Sequence, residues 1–397
     1  MIARIYIWIL LGTLLPYLWC FCHELRSCRL ARRLLLWLPA SVVIGYSGYL
    51  ALQPNFVPDR PVLVDVWFVV MALFSVPVFV YALFSFVGWC VMKALKGRRN
   101  WGRLIGLVMG LLSVGVFLYG FTYGFRELEV KRVTIAVPQL PASFDGYRIV
   151  LFSDFHAGSY YGWRSDLPQR DVDSINAQHP DMICFTGDIQ NTRPSELKPY
   201  VRMLSSLRAK DGVYSVLGNH DYSYYVNADS LTCLRQEQET RRLEWHLLLN
   251  EHAVVHRGSD SIYVAGTENF KKPAHANVAK ALRGIRPGHF VLMLQHIPTQ
   301  WEDMVPSRIN QVYGRKGEVL VAPQLTLSGH THAGQISVFG LRPTMFAPYD
   351  YGLYEREGCQ LFTTAGLGGV VPIRVGSTAE IVVITLKSLN FSNDRRE

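Results

Sequence analysis

Acidic residues are almost missing from the first 125 positions of this 397-residue chain, where only Glu24, Asp59 and Asp65 occur. Eleven Lys and Arg stand against them and carry +8 of the formal net charge of +9. Residues 126–397 hold the other 29 basic and 28 acidic side chains and are close to neutral. No nucleic-acid partner is expected, because a basic groove would show as a cationic surplus in the folded part. Cysteine is sparse too. Four of the seven (Cys20, Cys22, Cys28, Cys90) lie in or beside apolar runs, and Cys184, Cys233 and Cys359 lack metal-ligand spacing. That distribution argues against a disulfide framework. Internal repeats and low-complexity segments are absent, and the first apolar run has no A-x-A-like cleavage site, so it is read as retained.

Long hydrophobic runs, by contrast, fill residues 1–125. Four charge-free windows span 5–23, 34–58, 66–92 and 104–125. Each is close to or above the roughly 20 residues a helix needs to cross the hydrocarbon core. One such window could be a buried helix; four in series with short polar loops read as four transmembrane helices in a multi-pass membrane protein. The loop at 26–33 holds four Arg and the loop at 93–103 five Lys or Arg, whereas the middle loop has only Arg60. Positive charge marks the cytoplasmic side. Both termini, and the long C-terminal domain, are therefore expected on the extracytoplasmic face.

Residues 126–146 alternate apolar and polar side chains and then turn at Pro138, Pro141 and Gly146, which suggests a short edge strand and a linker. A domain is expected over 147–390, with a polar tail at 391–397. Strands are expected at 148–153, 182–186, 213–217, 262–265, 290–295, 325–328, 335–339, 361–364 and 380–386. Helices are expected at 166–178, 195–207, 228–250 and 276–282. Alternating strands and helices followed mostly by strands indicate an α/β class, a two-sheet sandwich.

Five of these strand ends deliver Asp, Asn or His. "LFSDFHAG" supplies Asp154 and His156, which strand alternation would point to one side. "CFTGDIQ" supplies Asp188, "VLGNHDY" Asn219, His220 and Asp221, "MLQHIP" His296, and "LSGHTHAGQ" His330 and His332. The C-terminal ends of strands are where α/β sheets gather ligands. Seven donors, Asp154, His156, Asp188, Asn219, His296, His330 and His332, exceed one tetrahedral site and suit two divalent ions sharing a carboxylate. Imidazole and carboxylate without thiolate favours Mn, Fe, Zn or Co. Two such ions about 3.5–4 Å apart can hold a water or hydroxide and clamp the oxygens of an in-line phosphoryl displacement.

In these five segments, D-x-H, GD, GNHD, H and GHTH in order, the chain resembles the calcineurin-like metallophosphoesterase superfamily. The resemblance runs from about Tyr147 to Leu386 and implies an αββα sandwich. It also implies roles: Asp154, His156 and His332 on one metal, Asn219, His296 and His330 on the other, and Asp188 bridging. His220 would face the leaving-group oxygen as acid or hydrogen-bond donor, and Asp221 would orient its loop. Where phosphoprotein phosphatases carry Asp and Arg after the bridging carboxylate, this sequence has Asn191 and Thr192. Together with the hydrophobic windows, the segments look like a bacterial membrane-associated subgroup at the inner membrane. Some members of that subgroup split the pyrophosphate of UDP-diacylglucosamine, a cytoplasmic substrate at odds with an extracytoplasmic domain.

The expected function is a membrane-anchored, dinuclear metal-dependent hydrolase. Phosphodiester or pyrophosphate substrates, lipid-linked ones in particular, are preferred because four spans would hold the site near lipid headgroups. The competing readings are a phosphomonoesterase and a non-catalytic metal-binding sensor or scaffold. Six histidines outside the motifs (His179, His246, His252, His256, His275, His289) are read as packing or surface residues. "RQEQETRRLEW" at 235–245 is read as a solvated helix face. Tyr160, Tyr161, Trp163, Tyr222, Tyr224 and Tyr225 are read as core or pocket wall. "AGLGGVVPIR" at 365–374 lacks the P-loop lysine and is read as a tight turn near the metals.

Overall fold

The computed structural model describes residues 2–53, 58, 60, 62–223, 230–315 and 319–389, with backbone only for 2–5 and 230–235. The polar tail at 391–397, Tyr224, Tyr225 and the expected helix start at Ala228 lie outside the described residues. The chain divides into two compact units, Met1–Tyr123 and Gly124–Glu397.

Among the described residues, four helices are long and apolar enough to cross a membrane, Tyr6–Glu24, Leu30–Ala51, Val62–Ala94 and Gly102–Gly124, and they make up the first unit up to its last residue, Tyr123. The third and fourth pack through small residues. A Cβ on Gly102 would lie 2.1 Å from the Phe84 carbonyl oxygen, and one on Gly106 2.7 Å from that of Tyr81. Small residues let helix backbones approach where apolar burial supplies no drive between helices. A polar knot adds direction to that packing. The Glu24 carboxylate of the first helix meets Arg103 Nε of the fourth at 2.7 Å and accepts from Ser85 (2.8 Å) and Tyr81 (3.0 Å) of the third.

The second unit is an α/β sandwich of two six-stranded sheets. One runs β1 (Leu128–Val137), β12 (Ala379–Ser388), β2 (Arg148–Phe152), β3 (Met182–Phe185), β4 (Val213–Ser215), β5 (His246–Leu247). The other runs β10 (Gly352–Arg356), β11 (Cys359–Thr363), β9 (Leu325–Ser328), β8 (Val291–Leu294), β7 (Asp260–Gly266), β6 (Glu251–Arg257). Within each sheet the middle strands are parallel: β2, β3 and β4 in the first, β7, β8 and β9 in the second. Parallel strands covered on both faces are apolar without a break, and "RIVLF" shows why. Ile149 and Leu151 face the core between the sheets, with Met182, Cys184, Leu292, Leu327 and Ile384. Val150 and Phe152 face the outer layer, with Val172 and Ile175 of the helix Leu167–Asn176.

Four expectations are corrected. No strand forms at 335–339; Ile336 and Val338 make single bridges, to Val375 and Leu341, because the chain reverses at Phe339–Gly340. The helix expected over 228–250 ends at Arg241, and His246–Leu247 instead pairs with β4. Nor is the stretch 235–245 simply solvated: Gln236 and Thr240 of the helix and Leu243 just past its end are buried, and charge is neutralised outside by Arg241–Glu237 and Arg242–Glu239 pairs at 3.0 Å. The edge strand expected near 126–146 is long, with ten residues of β1 registered parallel on β12.

Since Leu292 sits fully buried between the sheets, Leu292→Ala should destabilise the second unit by about 2–5 kcal/mol. A lowered unfolding midpoint of the full chain in detergent checks this.

Candidate metal centre

The parallel strands end along one edge, and the residues beyond those ends converge there. Strand alternation is not what brings Asp154 and His156 together, because β2 stops at Phe152. Both residues are left-handed, φ 53 and 47, as are Asp188 (60), His330 (79) and His332 (53). A left-handed non-glycine residue costs about 1–2 kcal/mol, so the surrounding structure must impose it. Interleaved backbone bonds do so: Asp154 N–H donates to the Gly187 carbonyl (2.9 Å) and His156 N–H to that of Asp188 (3.0 Å). The buried Asp221 carboxylate then accepts from the amides of Gly218, Asp188 and Ile189, each at 2.8 Å, and of Gln190 at 3.3 Å. Motif glycines are required by crowding. A Cβ on Gly218 would lie 2.2 Å from Asp188 Oδ1, and one on Gly329 2.3 Å from Asp154 Oδ2.

The side chains form two nitrogen clusters about one carboxylate. His156 Nε2 and His332 Nε2 are 3.3 Å apart, with Asp154 Oδ1 3.4 Å from His332 and 3.9 Å from His156. His296 Nε2 and His330 Nδ1 are 3.2 Å apart. Asp188 Oδ2 lies 3.0 Å from His296 Nε2 and 3.8 Å from His156 Nε2, so it reaches both clusters. Ligand atoms of Asp154, His156 and His332 lie within 4.8 Å of one another, as do those of Asp188, His296 and His330, and those of His156, Asp188 and His220. Asn219 is buried and lines the same cleft as His330. The seven expected ligands and His220 thus stand at this edge, with Asp221 beneath them.

Burial sets the protonation of the cluster. It lowers His156 and His332 well below the usual histidine value, helped by His220 for the first and Arg374 for the second. It also lowers His330 to about 4, helped by His296. Three imidazoles are therefore neutral near pH 7, the form that ligates metal. For His296 burial is overcome by Asp188, which raises it to about 9. Burial likewise works to raise Asp188, but His296, His220 and His156 hold it well below the carboxylate range. Asp221 goes to about 7 through burial and the charge of Asp188.

Supporting residues fix the orientation of this set. His296 Nδ1 donates to the Thr186 carbonyl (2.8 Å) and His220 Nδ1 to that of Asn191 (2.6 Å). The Asn191 turn is held by Glu196, which accepts from the amides of Asn191 (2.7 Å) and Thr192 (3.1 Å) and from the Thr192 hydroxyl (2.5 Å). Arg374, fully buried, donates to the carbonyls of Ala365 (2.8 Å), Gly366 (3.1 Å), Gly368 (2.5 Å) and Ser377 (3.1 Å). That loop is the "AGLGGVVPIR" turn, which lies on Asp154 through the Gly368 amide at 2.8 Å. Sequence reading missed Glu196 and Arg374. Their only signals were a helix-start glutamate after Pro194 and an arginine ending a glycine-rich run.

Donor chemistry and packing both fit divalent ions. Ring nitrogens 3.2–3.3 Å apart beside two buried carboxylates are an arrangement that a cation stabilises, once it displaces the proton held on His296. A cleft of about 570 Å³ opens here, lined by Asn219, His330, Thr331, Lys271, Lys272 and Pro348 among others. A second depression of about 670 Å³, by Asn176, His179 and Lys210, contains none of the cluster. Of the aromatic set, Tyr160 and Tyr222 are buried and Trp163 is exposed. Tyr222 donates to Glu268 (3.0 Å) and stacks on His275, so packing is the better account of it.

Residues 147–334 match the model of a family described as calcineurin-like phosphoesterase. Over 292 residues the chain is 31% identical to a transmembrane protein with metallophosphoesterase domain from Danio rerio, covering 70% of this chain and 62% of that one. A metallophosphoesterase of Campylobacter jejuni is 27% identical over 340 residues, 81% of this chain and 82% of its own length. One from Bacillus subtilis is 27% identical over 304 residues, 71% of this chain and 96% of its own. Similarity therefore extends to animals as well as bacteria.

Gly218→Ala should lower the metal content of the full chain, read by elemental mass spectrometry. Gly115→Ala, where a Cβ meets nothing within 4 Å, should leave it unchanged. Metal uptake must also displace the proton that Asp188 keeps on His296. Apparent Mn²⁺ affinity should then rise about tenfold per pH unit from pH 7 and level off near 9. Calorimetry in buffers of different ionisation enthalpy reads the released proton.

Proposed function

On the premise that this chain carries a calcineurin-like phosphoesterase domain, we propose that it is a membrane-anchored, metal-dependent phosphoesterase with a dinuclear centre. The observation that carries this reading is Asp188, whose one carboxylate oxygen faces both nitrogen clusters, 3.0 Å from His296 and 3.8 Å from His156. Asp154, His156 and His332 would hold one ion, and Asn219, His296 and His330 the other, with Asp188 shared. The donor set suits Mn, Fe, Zn or Co. Such ions would supply a lowered pKa for water and neutralisation of phosphoryl oxygens during in-line displacement.

The chain's own groups do the rest. The Thr186 carbonyl fixes the His296 ring so that Nε2 faces the centre. The Asn191 carbonyl accepts from His220 Nδ1, which leaves Nε2 for a leaving-group oxygen; the ring in its imidazolium form would donate the Nε2 proton to that oxygen as the P–O bond breaks and be left as neutral imidazole. Asn219, on the cleft wall beside His330, is placed to donate its amide to a phosphoryl oxygen. Residues 1–125 would anchor the domain 147–390 through the segment 126–146. The arginine-rich loops favour an extracytoplasmic domain, since positive charge marks the cytoplasmic side. Phosphodiesters or pyrophosphates, lipid-linked ones in particular, are the preferred substrates, since the anchor holds the site at a bilayer.

The full chain reconstituted with Mn²⁺ should hydrolyse bis-p-nitrophenyl phosphate. Asp188→Asn should abolish turnover. His220→Ala should lower kcat by about 10²–10⁴ while metal content stays at the wild-type level. Absence of turnover with every divalent metal tried rejects the reading.

A further inference from the structure

The segment that follows His332 leaves the domain as a tight hairpin whose apolar side chains meet solvent. Val338 and Leu341 exchange both backbone hydrogen bonds, at 2.9 and 3.0 Å, around the two-residue turn Phe339–Gly340. Both turn residues are left-handed, φ 52 and 81, the type I′ geometry that favours Asn, Asp or Gly at its centre. Phe339 takes the first position instead and is 101% exposed. Its left-handed backbone is sterically unfavourable for any side chain with a Cβ, and its ring gains nothing from the domain's own packing. Phe346 is 90% and Leu341 64% exposed, and Ile336, Val338 and Met345 are exposed as well. Apolar exposure concentrated in this way marks an interaction surface.

The base of the hairpin is fixed while its tip is bare. Arg342 pairs with Asp350, the Thr331 hydroxyl donates to the Asp350 carbonyl (2.5 Å), and Gln335 donates to the carbonyls of Val371 (2.7 Å) and Ile373 (2.9 Å). Just beyond the tip, Ala347 and Pro348 line the cleft of Asn219 and His330, which Lys271 and Lys272 also line.

We propose that the hairpin 336–346 docks into the interface of the bilayer that carries the chain's own helices, and that the adjoining cleft takes anionic, lipid-linked phosphodiesters or pyrophosphates. Lys271 and Lys272 meet the second negative group of such a substrate. The substrate half rests on the phosphoesterase reading; the docking half does not. Lipid is favoured over protein by the company the apolar set keeps. Residues 336–346 contain Arg342 and no acidic side chain, and the adjoining cleft adds Lys271 and Lys272. Aromatic tips with cationic neighbours suit the anionic headgroup region of a bilayer.

The test uses the full chain in nanodiscs of phosphatidylcholine and phosphatidylglycerol. Phe339→p-benzoylphenylalanine and Phe346→p-benzoylphenylalanine should photocrosslink to phospholipid, seen as a lipid mass adduct. The same change at Val254, 39% exposed on β6, should not. Crosslinking to a second copy of the chain, or no adduct at either phenylalanine, overturns the docking. Phe339→Asp with Phe346→Asp should lower the ratio of turnover on a vesicle-embedded phosphodiester lipid to turnover on bis-p-nitrophenyl phosphate by about tenfold. Lys271→Ala with Lys272→Ala should raise KM for the anionic lipid relative to the soluble diester. Unchanged ratios remove the substrate half. A wild-type chain that turns over neither substrate removes the phosphoesterase reading instead, while the adducts still decide the docking.

Discussion

The 3.0 Å contact between Asp188, beyond β3, and His296, beyond β8, joins the two sheets at their functional edge. Each partner alone would be a buried, poorly solvated group. Together they form an ion pair in which Asp188 keeps its charge and His296 keeps a proton. Everything else at this edge is arranged about that pair. His156 and His332 approach from one side, His330 from the other, and the Asp221 carboxylate ties the turn that carries Asp188 to the turn that carries Asn219 and His220. The parallel middle strands make the arrangement reachable, because they bring five chain segments to one edge with their C-terminal ends aligned.

The sequence made the chemistry legible because donor type and order survive in one dimension. Asp154, Asp188, His296 and His330 could be named from strand ends followed by polar residues. The four apolar helices were legible for a related reason, since a bilayer demands length and composition and little else. What the sequence hid is geometry carried by the backbone. Alternation along an extended strand suggested that Asp154 and His156 share a face, whereas both lie past the strand in left-handed conformation. The same misreading turned 335–339 into a strand, because an apolar, β-branched run does not reveal that Phe339 is left-handed.

Glu196 and Arg374 were invisible for another reason. Each acts chiefly on main-chain atoms, Glu196 on the amides of the Asn191 turn and Arg374 on three carbonyls of the glycine-rich loop and that of Ser377. A side chain that binds backbone has no partner residue type to search for, so nothing in a string of letters marks it. The buried face of the helix Ser230–Arg241 was hidden because Gln236 and Thr240, polar by type, fill its interior positions and bond to each other at 2.9 Å.

Strain and burial at the centre point to the same conclusion about how the fold is kept. Five left-handed residues at about 1–2 kcal/mol each, with crowded imidazoles, are a burden comparable to the whole stability of a domain. The apolar layer between the sheets, from Ile149 to Ile384, offsets it without using any residue of the site. The ligand edge can therefore stay dense with like-natured donors, and a cation bound among them would add stability by mass action to a framework already formed. The same division holds in sequence: uninterrupted apolar runs build the layers, and the short Gly, Asp, Asn and His segments after them carry the strain. Substitutions in the strands should act on folding, and those just past the strand ends on binding. That separation is what a metal centre needs, because its donors must be held in place before a cation that would relieve them arrives.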